Sequence, residues 1–111
     1  MIRRKISICE WQKVTPCRPE NNSIVGLAIG SDKNGVIHGL RHEPKNNTNG
    51  WYIWTGDYSN KKDFFKPVCL EHLHKSIELD LIEYLDLPPG FRFIIDGNNY
   101  EDVWYDEDLL K

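Results

Sequence analysis

The sequence predicts an α+β domain with a mainly antiparallel sheet, one helical segment packed on one face, and a C-terminal β-hairpin. Three observations carry the prediction. In Asn49-Gly50-Trp51-Tyr52-Ile53-Trp54-Thr55-Gly56, four large residues stand in a row with a glycine outside each end. That is the composition of a strand. Leu70, Leu73, Ile77, Leu81 and Leu85 recur at spacings of three and four, the buried stripe of a helix. Phe91, Phe93 and Ile95 alternate up to the turn Asp96-Gly97-Asn98-Asn99, and Tyr100 to Tyr105 returns from it, the pattern of a hairpin. Strands, then helix, then hairpin is an α+β order. A length of 111 residues suits one domain, 1–111, with a core large enough to fold alone.

Taken in order, Ile2, Ile6 and Ile8 share the even spacing of a first strand over Ile2 to Ile8. Lys13 to Ser23 contains Pro16, Pro19 and the pair Asn21-Asn22, so a loop is expected. Ser23 to Gly30 is the next apolar run, and Gly26 inside it marks a bulge or the close approach of another backbone. Asp32-Lys33-Asn34-Gly35 holds Asn-Gly, the strongest short hairpin signal, so Val36 to Leu40 should return as a short strand. Arg41 to Asn49 is polar and feeds the aromatic strand. Within that strand Trp51 and Ile53 face one side and Tyr52 and Trp54 the other. Bulk on both faces places it near the middle of the sheet.

Thr55 to Lys62 is a polar connection. Pro67 suits the first position of the helix, where a missing N–H is no loss. The leucine stripe leaves two readings open: one long helix to about Asp86, or two short ones with a break near Ser76. Leu87-Pro88-Pro89-Gly90 ends the segment, and Asp106 to Lys111 forms a short acidic end.

Composition narrows the function classes. A net charge of −3 and a pI near 5.8 argue against nucleic acid or an anionic membrane as partner, and suit a basic protein. Cys9, Cys17 and Cys69 are an odd count without framework spacing, the usage of reduced thiols in a cytosol. The basic start Arg3-Arg4-Lys5 precedes Ser7, Cys9, Glu10 and Gln12 rather than an apolar block, so no signal peptide is expected. The expected location is cytoplasmic.

Five segments in order resemble a known family. They are Asn49-Gly50-Trp51-Tyr52-Ile53-Trp54, Asp63-Phe64-Phe65, Glu71-His72-Leu73, Leu87-Pro88-Pro89-Gly90-Phe91-Arg92-Phe93, and Tyr100-Glu101-Asp102-Val103-Trp104-Tyr105-Asp106. Over about residues 40–108 the chain resembles the bacterial immunity-protein family numbered thirty-three, of polymorphic toxin systems. The resemblance implies a cytosolic protein that blocks a cognate toxin by binding it, with no catalytic residues and no cofactor.

Candidate sites follow from the residues. Glu101, Asp102, Asp106, Glu107 and Asp108 surround Val103, Trp104 and Tyr105. Acids around aromatic anchors make a surface for a basic partner, because charge speeds encounter and aromatics hold. The toxin-contact set is therefore Glu101, Asp102, Trp104, Asp106, Glu107 and Asp108, against the plainer reading of a strand with a solvated acidic end. The loops Arg41 to Thr48 and Thr55 to Lys62 form a second candidate as one rim. Cys69 and His72 are three apart, so on a helix they share a face, and His38 and His42 are four apart in a turn-rich region, but neither pair has finger spacing, so no metal is expected. No nucleophile elbow or phosphate loop is present, since Gly26-Leu27-Ala28-Ile29-Gly30 lacks the lysine and hydroxyl of a P-loop. Asp57 and Asp63 are a weak carboxylate pair, and a non-enzyme is expected. Trp11, Trp51, Trp54 and Trp104 can be read as a ligand cage, with core packing the stronger reading for Trp51 and Trp54, and the second function class is a small-molecule or regulatory binding domain with an aromatic-lined pocket.

Overall fold

The computed structural model describes residues 6–30, 35–77, 81–98 and 100–111. The elements are α1 (Ile8–Gln12), β1 (Ile24–Ala28), β2 (Ile37–Arg41), β3 (Thr48–Thr55), β4 (Lys66–Cys69), a 3-10 turn (Leu70–Lys75), α2 (Ile82–Leu85), β5 (Phe91–Ile95), β6 (Glu101–Tyr105) and a final 3-10 turn (Glu107–Leu110). The strands form one six-stranded open sheet in the order β4-β1-β3-β2-β5-β6. Four neighbouring pairs run antiparallel, but β1 and β3 run parallel, so the sheet is mixed.

The aromatic strand sits inside the sheet, as its two bulky faces require. Trp51 and Ile53 point into a core with Val25, Leu27, Ile37, Phe91, Phe93, Ile95 and Val103. Ile8 of α1, Leu73 of the first 3-10 turn, and Tyr84 and Leu85 around α2 belong to the same cluster. The Trp51 indole N–H donates to the Leu85 carbonyl at 3.0 Å, so the largest core residue is also polar-satisfied. Trp51 packs edge-on to Phe93, and Phe93 lies against Tyr84. Full burial of each such side chain contributes about 2–3 kcal/mol.

The opposite face is aromatic as well. His38 stacks parallel on Trp54 with ring centroids 5.0 Å apart. The connection after β3 folds back so that Tyr58 and Phe65 meet Trp54, and Phe65 meets Tyr52. Gly26 is where Tyr52 approaches: a Cβ there would stand 2.6 Å from its ring, so the close contact read from this glycine is a side chain's. Leu40, Arg92, Ile94 and Trp104, on the same face toward β6, are only half-buried.

Four expectations change. Ile8 opens a helix rather than ending a strand, and residues 1–5 of the expected strand lie outside the described residues. The cause is a capping box: the Ser7 hydroxyl accepts from the Glu10 N–H at 3.2 Å, and the Glu10 carboxylate accepts from the Ser7 N–H at 3.4 Å. Second, β1 and β2 are not neighbours, because β3 lies between them. The Asn-Gly signal is local, and the wide apolar area of β3 outweighs it; residues 32–34 of that turn lie outside the described residues. Third, Pro67 does not start a helix. It stands in β4, opposite Gly26, and the leucine stripe is divided between β4's exit, the 3-10 turn and α2. The described pieces are short, and residues 78–80 between them lie outside the described residues. Pairing with the free side of β1 satisfies backbone that a helix start would leave to solvent. Fourth, the two candidate loops do not make one rim. They leave opposite ends of the eight-residue β3, roughly 25 Å apart.

Candidate functional site

The acidic run becomes β6, its exit and the final 3-10 turn. Strand alternation sorts its side chains. Glu101 shares the face of Val103 and Tyr105, and there its carboxylate accepts a hydrogen bond from the Tyr84 hydroxyl. Asp102 and Trp104 turn to the other face. Trp104 pairs across the sheet with Arg92, whose guanidinium carbon lies 5.5 Å from the indole centroid.

Asp106 is half-buried at the strand's exit. One carboxylate oxygen meets Arg92 Nη1 at 3.2 Å, and the other accepts from the Asp108 N–H at 3.1 Å, capping the final turn. Asp108 reaches Lys111 at 3.3 Å, but both side chains are exposed, and such a pair contributes little. Glu107 is exposed. The turn is tied back to the sheet where His42 Nδ1 meets the Leu109 carbonyl at 2.9 Å.

The six residues therefore lie together at one margin of the sheet with different duties. Glu101 and Asp106 engage neighbours within the chain. Asp102, Glu107 and Asp108 face solvent, and Trp104 offers a half-exposed aromatic surface among them.

Of the metal candidates, Cys69 ends β4 with its thiol 3.4 Å from the Asn21 carbonyl and 3.7 Å from a Glu71 carboxylate oxygen, the oxygen that the exposed His72 on the 3-10 turn meets at 3.9 Å. His38 is stacked on Trp54, and burial, with Arg92 nearby, holds its pKa below the ordinary value. Among the described residues no group of three or more His, Cys, Asp or Glu is placed to hold a metal ion. Asp57 and Asp63 are both exposed.

Sequence reasoning missed Arg41. Read as the first residue of an exposed loop, it is the last residue of β2 and almost fully buried. Its Nε donates to the Asn49 carbonyl at 2.9 Å, and its Nη1 to the carbonyls of Cys17 at 2.7 Å and Leu87 at 2.8 Å. It joins four parts of the chain over the Trp51 ring. Burial pushes its pKa down from the usual arginine value. The available signal was parity: Ile37, Gly39 and Arg41 share the inward face of one strand. Close by, Arg18 grips Asp86 through two hydrogen bonds of 3.0 and 2.9 Å.

Two surface depressions flank this arginine region. A groove of about 440 Å³ has an apolar floor that includes Leu70, Leu73, Ile77 and Leu81. A polar one of about 550 Å³ is bordered by Asn22, Asn47 and Asn49. Both open to solvent rather than enclosing a ligand-sized cavity. No helix among the described residues is long and apolar enough to cross a membrane.

In comparison with known proteins, the model of the Imm33-like domain fits residues 4–106. No curated protein and no solved structure matches the chain. The matched span takes in α1, all six strands and α2, well beyond the segments that carried the resemblance in the sequence. The chain belongs to the Imm33-like domain family, that of immunity protein thirty-three.

Proposed function

We propose that this protein is a cytoplasmic immunity protein that neutralises a cognate bacterial toxin by stoichiometric binding, without catalysis. Membership of the Imm33-like family carries the reading. The contact surface is the acidic margin of Glu101, Asp102, Trp104, Asp106, Glu107 and Asp108, and the toxin domain it covers is basic. What supports this placement is that Asp102, Glu107 and Asp108 are exposed and that Trp104, in the same strand as Asp102, keeps a half-exposed indole. Carboxylates at a rim steer a basic partner, and a central aromatic supplies contact area that slows release.

Co-expression with a candidate toxin domain from a neighbouring gene tests the reading. Recovery of a one-to-one complex and restored growth are expected. Growth arrest despite abundant folded protein would overturn it. The surface is tested separately. Replacing Asp102, Glu107 and Asp108 by their amides should lower the association rate about tenfold and flatten its salt dependence. An unchanged rate would move the contact elsewhere while leaving toxin binding intact.

A further inference from the structure

We infer that the outer edge of β6, at Val103 and Tyr105, accepts an extended, basic segment of the partner as a seventh strand. The inference rests on the toxin-binding reading for the partner's identity, and on the sheet alone for the mode of contact.

Register decides which backbone groups of β6 are available. The Asp96 N–H donates to the Tyr100 carbonyl at 3.4 Å, and the Asp106 N–H to the Gly90 carbonyl at 2.7 Å. Between these bonds lie the pairs Ile94↔Asp102 and Arg92↔Trp104. In an antiparallel ladder, hydrogen-bonded pairs alternate with non-bonded ones. Even-numbered residues of β6 therefore turn their amides toward β5. Val103 and Tyr105 turn their N–H and C=O groups outward, where β6 has no neighbouring strand among the described residues. Neither makes a hydrogen bond on that side among the described residues.

The other edge is closed by its sequence. The Leu70 N–H donates to the Ser23 carbonyl at 2.9 Å, in register with the pairs Val25↔Val68 and Leu27↔Lys66. Those residues of β4 bond inward, so Pro67 faces outward, and proline has no N–H to offer an added strand. The β4 edge thus lacks a backbone donor at Pro67, whereas β6 keeps the donors of Val103 and Tyr105 and is guarded by charge alone.

Charge selects the occupant. From Phe93 through Leu110 the chain has five carboxylates in Glu101, Asp102, Asp106, Glu107 and Asp108, besides Asp96, and no lysine or arginine. A second copy of this chain added at β6 would bring a second set of carboxylates against the first, and like charges across strands destabilise the pair. A segment with lysine or arginine on alternate positions would instead meet Asp102 on one face. Its backbone would bond to Val103 and Tyr105, the strand-addition mode of recognition.

Residue-resolved amide hydrogen exchange on the full chain tests this, with an alternating lysine–valine decapeptide as probe. The Val103 and Tyr105 amides should exchange quickly in the free protein and slow about tenfold or more at saturation. An alternating glutamate–valine peptide should leave both unchanged, as should the lysine peptide with proline at alternate valines. Binding of the lysine probe without slowing at Val103 and Tyr105 would overturn the proposal, as would no binding at millimolar concentration. Slow exchange at both amides in the free protein that is lost on dilution would show a self-paired edge and overturn it too. A toxin complex in which both amides still exchange quickly would remove strand addition but keep toxin binding. Protection by the lysine probe without any toxin complex would do the reverse.

Discussion

The ring of Phe93 fills the place where its cross-strand partner Gly39 would carry a side chain. A Cβ built on Gly39 would stand 2.3 Å from the ring. Phe93 is fully buried and holds Trp51 and Tyr84 on its other contacts, so it cannot swing away without disturbing the core.

Gly39→Ala should therefore destabilise the protein by about 1–3 kcal/mol, the usual cost of overpacking. Urea denaturation should show a lower midpoint with an unchanged slope. Phe93→Leu in the same background should return part of the loss, because the two residues share one volume. Strict additivity of the two substitutions would mean that the ring is not what excludes the side chain.

Arg41→Met should cost about 3 kcal/mol, since it orphans the carbonyls of Asn49, Cys17 and Leu87 that the guanidinium bonds. Arg41→Lys should recover only a minor part, because a point ammonium cannot span three carbonyls as a planar fork does. A loss near 0.5 kcal/mol, typical of surface sites, would contradict the role given to Arg41.

His38 should make stability depend on pH. Its folded pKa lies below its ordinary 6.5, through burial first and Arg92 second. The unfolded chain then binds the proton more readily, so stability is full above about pH 6.5 and falls as pH drops toward the folded value. His38→Phe keeps a ring against Trp54 and removes the titration. Thermal melts from pH 7.5 to 5 should fall more steeply for the native protein than for the variant. Parallel curves would exclude His38 as the source.

The Arg92–Asp106 pair, at 3.2 Å and half-buried on both sides, should show a coupling of about 0.5–1 kcal/mol in a double-mutant cycle of Arg92→Met and Asp106→Asn. Asparagine retains the cap on Asp108, so the cycle reads the ion pair rather than the turn. The coupling should shrink in 1 M salt. A salt-independent value would assign it to packing on Trp104 instead.

Much of this architecture was legible in the residues. The two-residue period of Trp51 to Trp54 and of Phe91 to Ile95 is a local property, and so is the turn between β5 and β6. The acidic run could be read directly, but not the division of labour within it. Glu101 meets Tyr84, 17 positions away, and Asp106 meets Arg92, 14 positions away. The Ser7–Glu10 spacing is a local capping-box signal, and it prevails over the isoleucine spacing beside it.

The sequence by itself determined that Thr48–Thr55 would be a central strand and that a hairpin would close the chain, because alternation and turn chemistry act over a few residues. Only the tertiary structure decided that β1 lies parallel to β3, that Pro67 joins a sheet edge instead of a helix, and that Arg41 is buried. Each of these depends on which distant backbone groups need a partner, and that need arises only once the core has brought them together.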